Sequence, residues 1–336
     1  MRRKNTPFKK RFVTTRTPLR ISLTGGGTDM PYYYNKFGGI TLSSTIDKYL
    51  YVTVKAHNNF REKYRLNYYE TEILNKVDKI KNLRIKETLK FFKIKEPLYI
   101  STVSDIPHNT GLGSSSSFVV GLVKAIISLM NKTISEKKLA EVAFRIENRV
   151  ANYSLGKQDH YIASYGGINL IRYNKKGVIV KKISIGKKNE KFLSENLLFI
   201  YTGKSRSANT HLTSQKKNFG QNIIGLNKLK QCTKKMLFEL NQKKLNLTEI
   251  GKILEESWNI KKNLTNKITD GFLDKIYSQA KKSGCYGGKL LGAGGGGFFI
   301  FVCKKQNHSK VIRNLKKYKN IEFSFNKSGS QLILQD

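Results

Sequence analysis

The sequence lacks any apolar run long enough to cross a membrane. Its longest one, Phe118 to Met130, is interrupted by Lys124 and falls short of the ~20 residues that a membrane helix needs. This run therefore predicts a buried helix. Met1 to Arg20 has basic residues but no apolar segment, which argues against a secretory signal. We expect a cytoplasmic protein without a membrane partner.

Cysteine is also scarce. The three cysteines, Cys232, Cys285 and Cys303, form no CxxC pair, and their number is odd. The five histidines are scattered along the chain. An odd number of cysteines without a CxxC pair and scattered histidines indicate neither a disulfide framework nor a zinc site, so neither is expected.

Acidic side chains are few. The chain has 23 Asp and Glu against 63 Lys and Arg, a formal net charge of +40. Such an excess can indicate nucleic-acid binding. The lysines are spread along the whole chain, however, and no zinc finger, helix-turn-helix or aromatic RNA-binding strand is found. We expect no specific nucleic-acid partner, although a basic nucleic-acid-binding protein is the rival class. Anionic substrates gain from the positive field in either case.

Apolar periodicity predicts helices and strands along the whole chain, and a change in composition divides them into two α+β halves. Amphipathic helices are predicted over Asp78 to Phe92 and around Leu139 to Val150, the latter with Ser135 as N-cap. The composition changes near residues 185 to 195, which predicts domains over 12–190 and 191–336. The predicted strands are Thr17 to Leu23, Gly39 to Ala56, Pro97 to Ser104, Ile168 to Tyr173, Val178 to Ile183 and Leu197 to Tyr201, and long helices are predicted between Asn218 and Lys282.

Three glycine clusters need a common explanation: "LTGGGTD" at 23–29, "GLGSSSS" at 111–117 and "GAGGGG" at 292–297. None is a Walker A loop, because no GK[ST] follows the required glycine spacing. The third cluster fits GxGxxG but leads into the apolar run "FFIFVC", which predicts a strand, whereas a dinucleotide fingerprint must lead into a helix. Protein-kinase signatures are absent too. The serine-rich cluster precedes a helix, so it predicts either a serine N-cap or an anion site.

Together and in this order, the clusters resemble the GHMP small-molecule kinases. "PLRISLTGGGTDMPYY" resembles their first motif, "PHNTGLGSSSS" their second and "KLLGAGGGG" their third. Three segments are most similar to the D-glycero-D-manno-heptose 7-phosphate kinases within the family: "RTPLRISLTGGGTDMP", "GKQDHYIASYGG" and "YTGKSRSA". The resemblance implies a two-domain α+β fold, with a ribosomal-protein-S5-domain-2-like N-terminal half and a ferredoxin-like C-terminal half. It also implies ATP and Mg²⁺ as cofactors, and a homodimer is a possible assembly.

The resemblance makes the serine loop the cradle of the ATP phosphates. Backbone amides at a helix N-terminus suit anions, and Mg²⁺ takes one or two carboxylates with phosphate oxygens. Ser115 and Glu147 match the family's metal ligands. The implied ATP-binding residues are Gly111, Leu112, Gly113, Ser114, Ser115 and Ser116, and Gly292, Gly294, Gly295 and Gly296 are implied to support the loop.

Asp159, in "GKQDH", matches the aspartate that orients the acceptor hydroxyl and accepts its proton. Arg20 matches a cation that pairs with that carboxylate or with the transferred phosphate. Thr28 and Asp29 match residues that bind sugar hydroxyls. His160 stands where the nearest relatives are expected to carry glutamine. This departure concerns the contacts around Asp159 and not the role of Asp159 itself.

"GKSRSANTH" follows a predicted strand and offers Lys204, Arg206 and Ser207 to a second phosphate, since arginine binds phosphate bidentately. Ordinary loop polarity is the other interpretation. The resemblance implies phosphorylation of the anomeric hydroxyl of a heptose 7-phosphate, for nucleotide-activated heptose and surface glycans. A kinase of an unphosphorylated sugar such as fucose or galactose is the alternative enzyme.

Overall fold

The structure, a computed structural model, describes residues 8–58, 61–151, 155–205, 219–264 and 268–336. The strands are β1 (Phe12–Thr24), β2 (Gly39–Ala56), β3 (Tyr64–Asn67), β4 (Thr71–Leu74), β5 (Leu98–Ser104), β6 (Ile168–Asn174), β7 (Gly177–Lys182), β8 (Leu197–Tyr201), β9 (Gly287–Leu290), β10 (Phe298–Val302), β11 (Lys319–Ile321), β12 (Phe325–Asn326) and β13 (Gln331–Gln335). The helices are α1 (Pro31–Phe37), α2 (Leu83–Phe91), α3 (Ser114–Leu129), α4 (Glu136–Val150), α5 (Gln158–Tyr165), α6 (Gly186–Glu195), α7 (Phe219–Leu240), α8 (Leu247–Lys262), α9 (Gly271–Lys282) and α10 (His308–Asn314). The predicted α+β class is confirmed.

The first sheet is built around two long strands. It has the order β13-β1-β2-β5-β3-β4, with β12 and β6 also paired to β2 and with β7 paired to β6. The inner half of β1 is buried along "PLRISLT". Helix α3 packs on β1 and β2, and its apolar residues join the main core. Because β1 and α3 lie together, the residues at the end of the serine loop meet the strand that carries Arg20.

The second sheet has the order β11-β8-β10-β9, with antiparallel pairing throughout. The apolar segment "FFIFV" forms β10 and is wholly buried. Trp258 of α8 is fully buried and meets Phe299 edge to face, with the ring centroids 5.8 Å apart. The third glycine cluster connects β9 to β10, so this loop is anchored on both sides by buried strands.

The two ends of the chain meet in the first sheet. β12 pairs with β2, and β13 pairs with β1. The division at residues 190 and 191 assigned these last strands to the second domain, whereas the structure places them in the first sheet. Residues predicted as the boundary region form helix α6. The division itself stays a prediction.

Most boundaries follow the sequence pattern, with one instructive difference. The predicted helix from Asp78 begins only at Leu83, because the Asn82 side chain caps it by accepting from the Ile85 amide. Helix α4 begins as predicted, with the Ser135 side chain as N-cap. Within the described ranges, no helix is both long enough and apolar enough to cross a membrane.

Candidate active site

The serine loop starts helix α3 with a glycine and not with a serine. Gly113 is the N-cap residue at a φ of 76°, and no described side chain caps the helix or brings an acidic group into its first turn. The first helical bond is donated by the Ser117 amide to the Gly113 carbonyl at 3.0 Å. The amides of Ser114, Ser115 and Ser116 therefore point out of the helix end. This arrangement favours an anion site over a serine cap.

The third glycine cluster packs directly against the serine loop. A methyl group on Gly292 would lie 2.5 Å from Gly111 Cα, and one on Gly111 would lie 2.5 Å from the Leu291 carbonyl oxygen. Any side chain here would therefore separate the two loops. The other glycines predicted to support the loop contact backbone nearby: Gly294 and Gly295 at Ile268, and Gly296 at Lys204.

Arg20 and Asp159, which both line the cavity, form a bidentate ion pair. Arg20 donates from Nε to Asp159 Oδ1 at 2.7 Å and from Nη2 to Oδ2 at 2.6 Å. Its Nη1 donates to the Gly111 carbonyl at 2.5 Å. Asp159 lies in the first turn of α5, where the helix dipole favours an anion. One arginine thus ties the serine loop to the aspartate predicted to act on the acceptor.

Asp29 lies near this pair, buried in the same cavity. Its Oδ1 accepts from the Gly27 amide at 3.0 Å and its Oδ2 from the Gln158 amide at 3.1 Å. Burial and then the nearby Asp159 charge raise the pKa of Asp29. Thr28 differs, because its hydroxyl donates to the carbonyl oxygens of Gly25 and Ile40 and accepts from the Ile40 amide. The structure does not bring Thr28 into the cavity wall.

Glu147 of α4 also lines the cavity and is 1% exposed. Its Oε2 accepts from Ser116 Oγ at 2.8 Å and bonds His160 Nε2 at 2.7 Å, and its Oε1 accepts from Arg84 Nε at 2.8 Å. Burial alone would raise the pKa of Glu147. The hydrogen bonds and charges of His160 and Arg84 outweigh it and lower the pKa to about 2. The carboxylate is therefore ionised at neutral pH.

These residues can be tested for a fit to Mg²⁺. Glu147 Oε1 has one hydrogen-bond partner, which leaves it a lone pair for a cation or a cation-bound water. Ser115 lines the cavity beside it, while Ser116 bonds the carboxylate directly. Among the described residues, no three His, Cys, Asp or Glu side chains cluster as a metal cage. One carboxylate with hydroxyl and phosphate oxygens is a donor set that Mg²⁺ accepts.

Two buried lysines also line this cavity, which sequence reasoning did not single out. Lys261 of α8 donates from Nζ to the Gly292 carbonyl oxygen. Lys289 of β9 donates to the carbonyl oxygens of Ser22 at 3.0 Å and Leu23 at 3.2 Å. Lys289 opens the motif "KLLGAGGGG", and a charged residue within a strand was the available signal. Lys261 follows the pattern of an ordinary lysine in the last turn of a helix, so no signal marked it.

The predicted second-phosphate cluster is described only in part. Lys204 Nζ lies 3.1 Å from Asp270 Oδ2 and 4.1 Å from the centroid of the Phe272 ring. Lys204 is not part of the cavity wall, although its carbonyl contacts Gly296. Arg206 and Ser207 lie outside the described residues. Their contact with a phosphate stays a prediction.

A second, larger cavity adjoins the first across the serine loop. It has a volume of about 430 Å³, against about 170 Å³ for the first, and Asn109, Ser114 and Ser115 line both. The Tyr69 and His108 rings stack on its wall, with their centroids 5.3 Å apart. Arg84 reaches from this second cavity to Glu147. An elongated molecule with a flat ring at one end and anionic groups at the other would fit both.

Comparison with known families agrees with this geometry. The family description "GHMP kinases N terminal domain" matches residues 75–167, and "GHMP kinases C terminal" matches residues 238–321. The first match spans the serine loop, Glu147 and Asp159, and the second spans Lys261, Lys289 and the third glycine cluster. Most of the site thus falls inside the matched domains, whereas Arg20 and Asp29 precede the first matched range.

Individual relatives extend over nearly the whole chain. A D-glycero-alpha-D-manno-heptose 7-phosphate kinase of Campylobacter jejuni is 32% identical over 333 residues, which is 94% of this chain and 97% of the relative. A crystal structure titled as a D-glycero-D-manno-heptose 1-phosphate kinase from Bacteroides thetaiotaomicron superposes with a TM-score of 0.79 at 25% identity, over 96% of this chain and 99% of that one. A Lactococcus lactis galactokinase complexed with galactose has a TM-score of 0.75 at 19% identity, over 96% of this chain and 95% of that one, which indicates the shared fold.

Proposed function

Because the chain belongs to the GHMP kinase family, we propose that it transfers the γ-phosphate of ATP to the anomeric hydroxyl of D-glycero-D-manno-heptose 7-phosphate. The observation that carries the proposal is the 32% identity, over almost the full length of both chains, to a heptose 7-phosphate kinase. The Arg20–Asp159 pair beside an uncapped helix N-terminus supplies the chemistry that such a kinase needs.

Asp159 is proposed as the group that receives the acceptor's proton. Each of its oxygens accepts one strong bond from Arg20, and Oδ1 also accepts a longer one from Gln158 Nε2 at 3.4 Å. Oδ2 therefore keeps a lone pair for a hydroxyl donor. The acceptor oxygen forms a bond to the γ-phosphorus while the bond from that phosphorus to the bridging oxygen breaks. The electron pair of the broken bond stays on ADP, and the proton passes to Asp159. Arg20 fixes the carboxylate and contributes positive charge beside the serine loop.

ATP binding is assigned to the serine loop and the cavity behind it. The amides of residues 114–116 face the phosphates, and glycines at 111 and 113 allow a close approach. The stacked rings of Tyr69 and His108 suit the adenine, since a flat aromatic base gains from stacking. Glu147 with Ser115 and Ser116 would hold Mg²⁺, whose chemistry when bound is to offset phosphate charge. His160 and Arg84 keep the Glu147 carboxylate ionised and oriented for that purpose.

The sugar is proposed to lie between Asp29 and Asp159. Asp29 is held by two backbone amides, so its remaining lone pairs point at fixed positions and can accept sugar hydroxyls. The acceptor's own phosphate is assigned to Arg206 and Ser207 on the sequence pattern. Lys204 is a weaker candidate, because Asp270 already compensates its charge.

A panel of acceptors tests the proposal. Purified enzyme with Mg²⁺ and ATP is assayed for ADP release on heptose 7-phosphate, the same heptose without phosphate, fucose and galactose. We expect kcat/KM for the heptose 7-phosphate to exceed that for the free heptose by about 10²-fold or more, because charged hydrogen bonds contribute about 1.5–3 kcal/mol each. Arg206→Ala should raise KM for heptose 7-phosphate and leave kcat/KM for the free heptose unchanged, so that the preference for the phosphorylated sugar falls. Faster turnover of a free hexose would replace the proposal with the fucokinase- or galactokinase-like alternative.

A further inference from the structure

Lys261 is a buried cation without a carboxylate partner among the described residues. It lies in the last turn of α8, is 8% exposed, and donates to the Gly292 carbonyl oxygen. An ammonium group has three donors, and this bond uses one of them, which leaves two for a molecule bound in the cavity that Lys261 lines. A buried charge is costly unless it is paired, and Asp29 and Asp159 favour the Lys261 charge without forming an ion pair with it among the described contacts. Its presence in the cavity wall indicates that an anion compensates it when substrates bind.

The position of Lys261 identifies which anion. Gly292 packs against Gly111, close enough that a methyl group on Gly292 would lie 2.5 Å from Gly111 Cα. Arg20 Nη1 donates to the carbonyl of the same Gly111 at 2.5 Å. Arg20 and Lys261 therefore reach one backbone junction from the two halves of the chain. This junction lies at the start of the serine loop, next to the Asp159 carboxylate, where donor and acceptor must meet.

The other described lysines near this junction are committed elsewhere. Lys289 uses two donors on the backbone of β1, and burial, followed by the charges of Lys261 and Arg20, lowers its pKa well below the ordinary value. Lys204 pairs with Asp270 outside the cavity wall. Burial and the charge of Arg20 lower the pKa of Lys261 to about 8 against the opposing influence of Asp29 and Asp159, so most of it remains protonated at neutral pH.

We infer that the Lys261 ammonium contacts the γ-phosphoryl group during its transfer and offsets the charge that develops on its oxygens. The inference rests on the proposed kinase function. Lys261 keeps its proton throughout, while the acceptor's proton passes to Asp159 and the electron pair of the broken bond stays on ADP. The C-terminal domain thereby contributes a catalytic group to a site whose other reacting groups come from the N-terminal domain.

The test compares Lys261→Met with Lys262→Met. Lys262 is the next residue on the same helix and points to Asp274, at 3.7 Å, so it is a matched control. We expect Lys261→Met to lower kcat by about 10²–10³, the typical effect of removing one preorganised charge-stabilising donor, with KM for ATP and for the sugar phosphate nearly unchanged. Lys261→Arg should recover part of the loss, and Lys262→Met should behave as wild type.

A binding measurement gives a readout that needs no sugar. ADP, Mg²⁺ and aluminium fluoride together mimic the planar transferring group. We expect Lys261→Met to bind this mimic at least ~10-fold more weakly than wild type, and to bind a non-hydrolysable ATP analogue equally well. An unchanged kcat, or a defect confined to KM for the sugar phosphate with normal binding of the mimic, would overturn the inference.

Two further results keep the test decisive. If Lys261→Met fails to fold, the Lys261→Arg enzyme is used, because its cation does not titrate in this range. Wild-type kcat/KM should then fall above about pH 8, and the fall should be absent in Lys261→Arg; the same fall in both would refute the inference. If wild type binds the mimic in a Lys261-dependent way but does not phosphorylate heptose 7-phosphate, the proposed substrate fails while the role of Lys261 stands.

Discussion

Asp159 is unusual among the described carboxylates of the chain in receiving two arginine bonds and still facing a cavity. Asp159→Asn removes the proposed proton acceptor and replaces one of its oxygens by a donor that opposes Arg20. We expect kcat to fall by about 10²–10⁴ with ATP affinity nearly unchanged. Steady-state kinetics and calorimetric ATP titration measure the two quantities. Asp78→Asn, at an exposed surface pair with Lys90, is the control, and a near-normal kcat in Asp159→Asn would reduce Asp159 to a structural residue.

The lowered pKa of Glu147 predicts that the stability of the folded protein depends on pH. Its folded pKa of about 2 lies below the ordinary value of 4.5, so the ionised form stabilises the fold above pH ~4.5, and that stabilisation is lost as the pH falls toward 2. Glu147→Gln should therefore lower the free energy of unfolding at pH 7 by on the order of 3 kcal/mol, since Arg84 and His160 lose their anionic partner.

Denaturant unfolding of wild type and Glu147→Gln at pH 7 and at pH 3 checks this expectation. The difference between the two proteins should narrow at the lower pH. Glu141→Gln on the same helix, where the side chain is 42% exposed, should differ from wild type by no more than about 0.5 kcal/mol. A constant difference at both pH values would show that the Glu147 charge does not stabilise the fold.

Among the secondary-structure elements, the junction before α3 depends on a glycine. Gly113 has a φ of 76°, and an added methyl group would lie 3.0 Å from Arg20 Cγ. Gly186 also has a φ of 76° but has open space around it. Both Gly→Ala variants carry the same backbone strain, about 1 kcal/mol. Only Gly113→Ala also displaces Arg20, so a comparison of the two variants shows the effect of that displacement.

We expect Gly113→Ala to lower kcat at least ~10-fold and to raise KM for ATP, because Arg20 and the loop amides must move. Gly186→Ala should lose a similar amount of stability with normal kinetics. Thermal melts and steady-state rates measure both properties. Equal activity in the two variants would mean that Arg20 tolerates the shift.

The strands were the most predictable elements, for a physical reason. β2 and β8 were predicted with the bounds that they have, since their β-branched and aromatic runs are bounded by glycine and polar turns. Helix α2 was predicted to start too early, because the Asn82 cap competes with a periodicity that extends back to Asp78. Helix α5, which carries Asp159, has weak amphipathicity and was not predicted, since it is buried on most sides.

The site was predictable where chemistry is local in sequence. The serine loop, Arg20 and Asp159 each lie in a motif, and the structure brings them together. Arg84 and Lys261 reach the site through long-range packing, which a pattern along the chain cannot encode, whereas Lys289 was marked only by its charge within an otherwise apolar strand. Thr28 lies in its motif, yet the β1–β2 connection turns its hydroxyl to the backbone.

For the chain as a whole, the net charge of +40 predicts weak and salt-sensitive binding to nucleic acids. Non-specific contacts give Kd values of about 10⁻⁴–10⁻⁶ M at physiological salt. Fluorescence anisotropy with DNA duplexes of two unrelated sequences, at low and physiological salt, should show equal affinities that weaken steeply with salt. Sequence-selective binding at nanomolar concentrations would favour the rival view of a nucleic-acid-binding protein.

The central claim is that the chain phosphorylates the anomeric hydroxyl of a sugar that already carries a phosphate. Phosphorus NMR of heptose 7-phosphate incubated with ATP, Mg²⁺ and wild-type enzyme tests it most directly, with Asp159→Asn as the control. We predict a second sugar phosphorus signal that couples to the anomeric proton and grows as ATP is consumed, while the 7-phosphate signal remains. ATP consumption without that signal, or a new phosphate coupled to another sugar proton, would contradict the account.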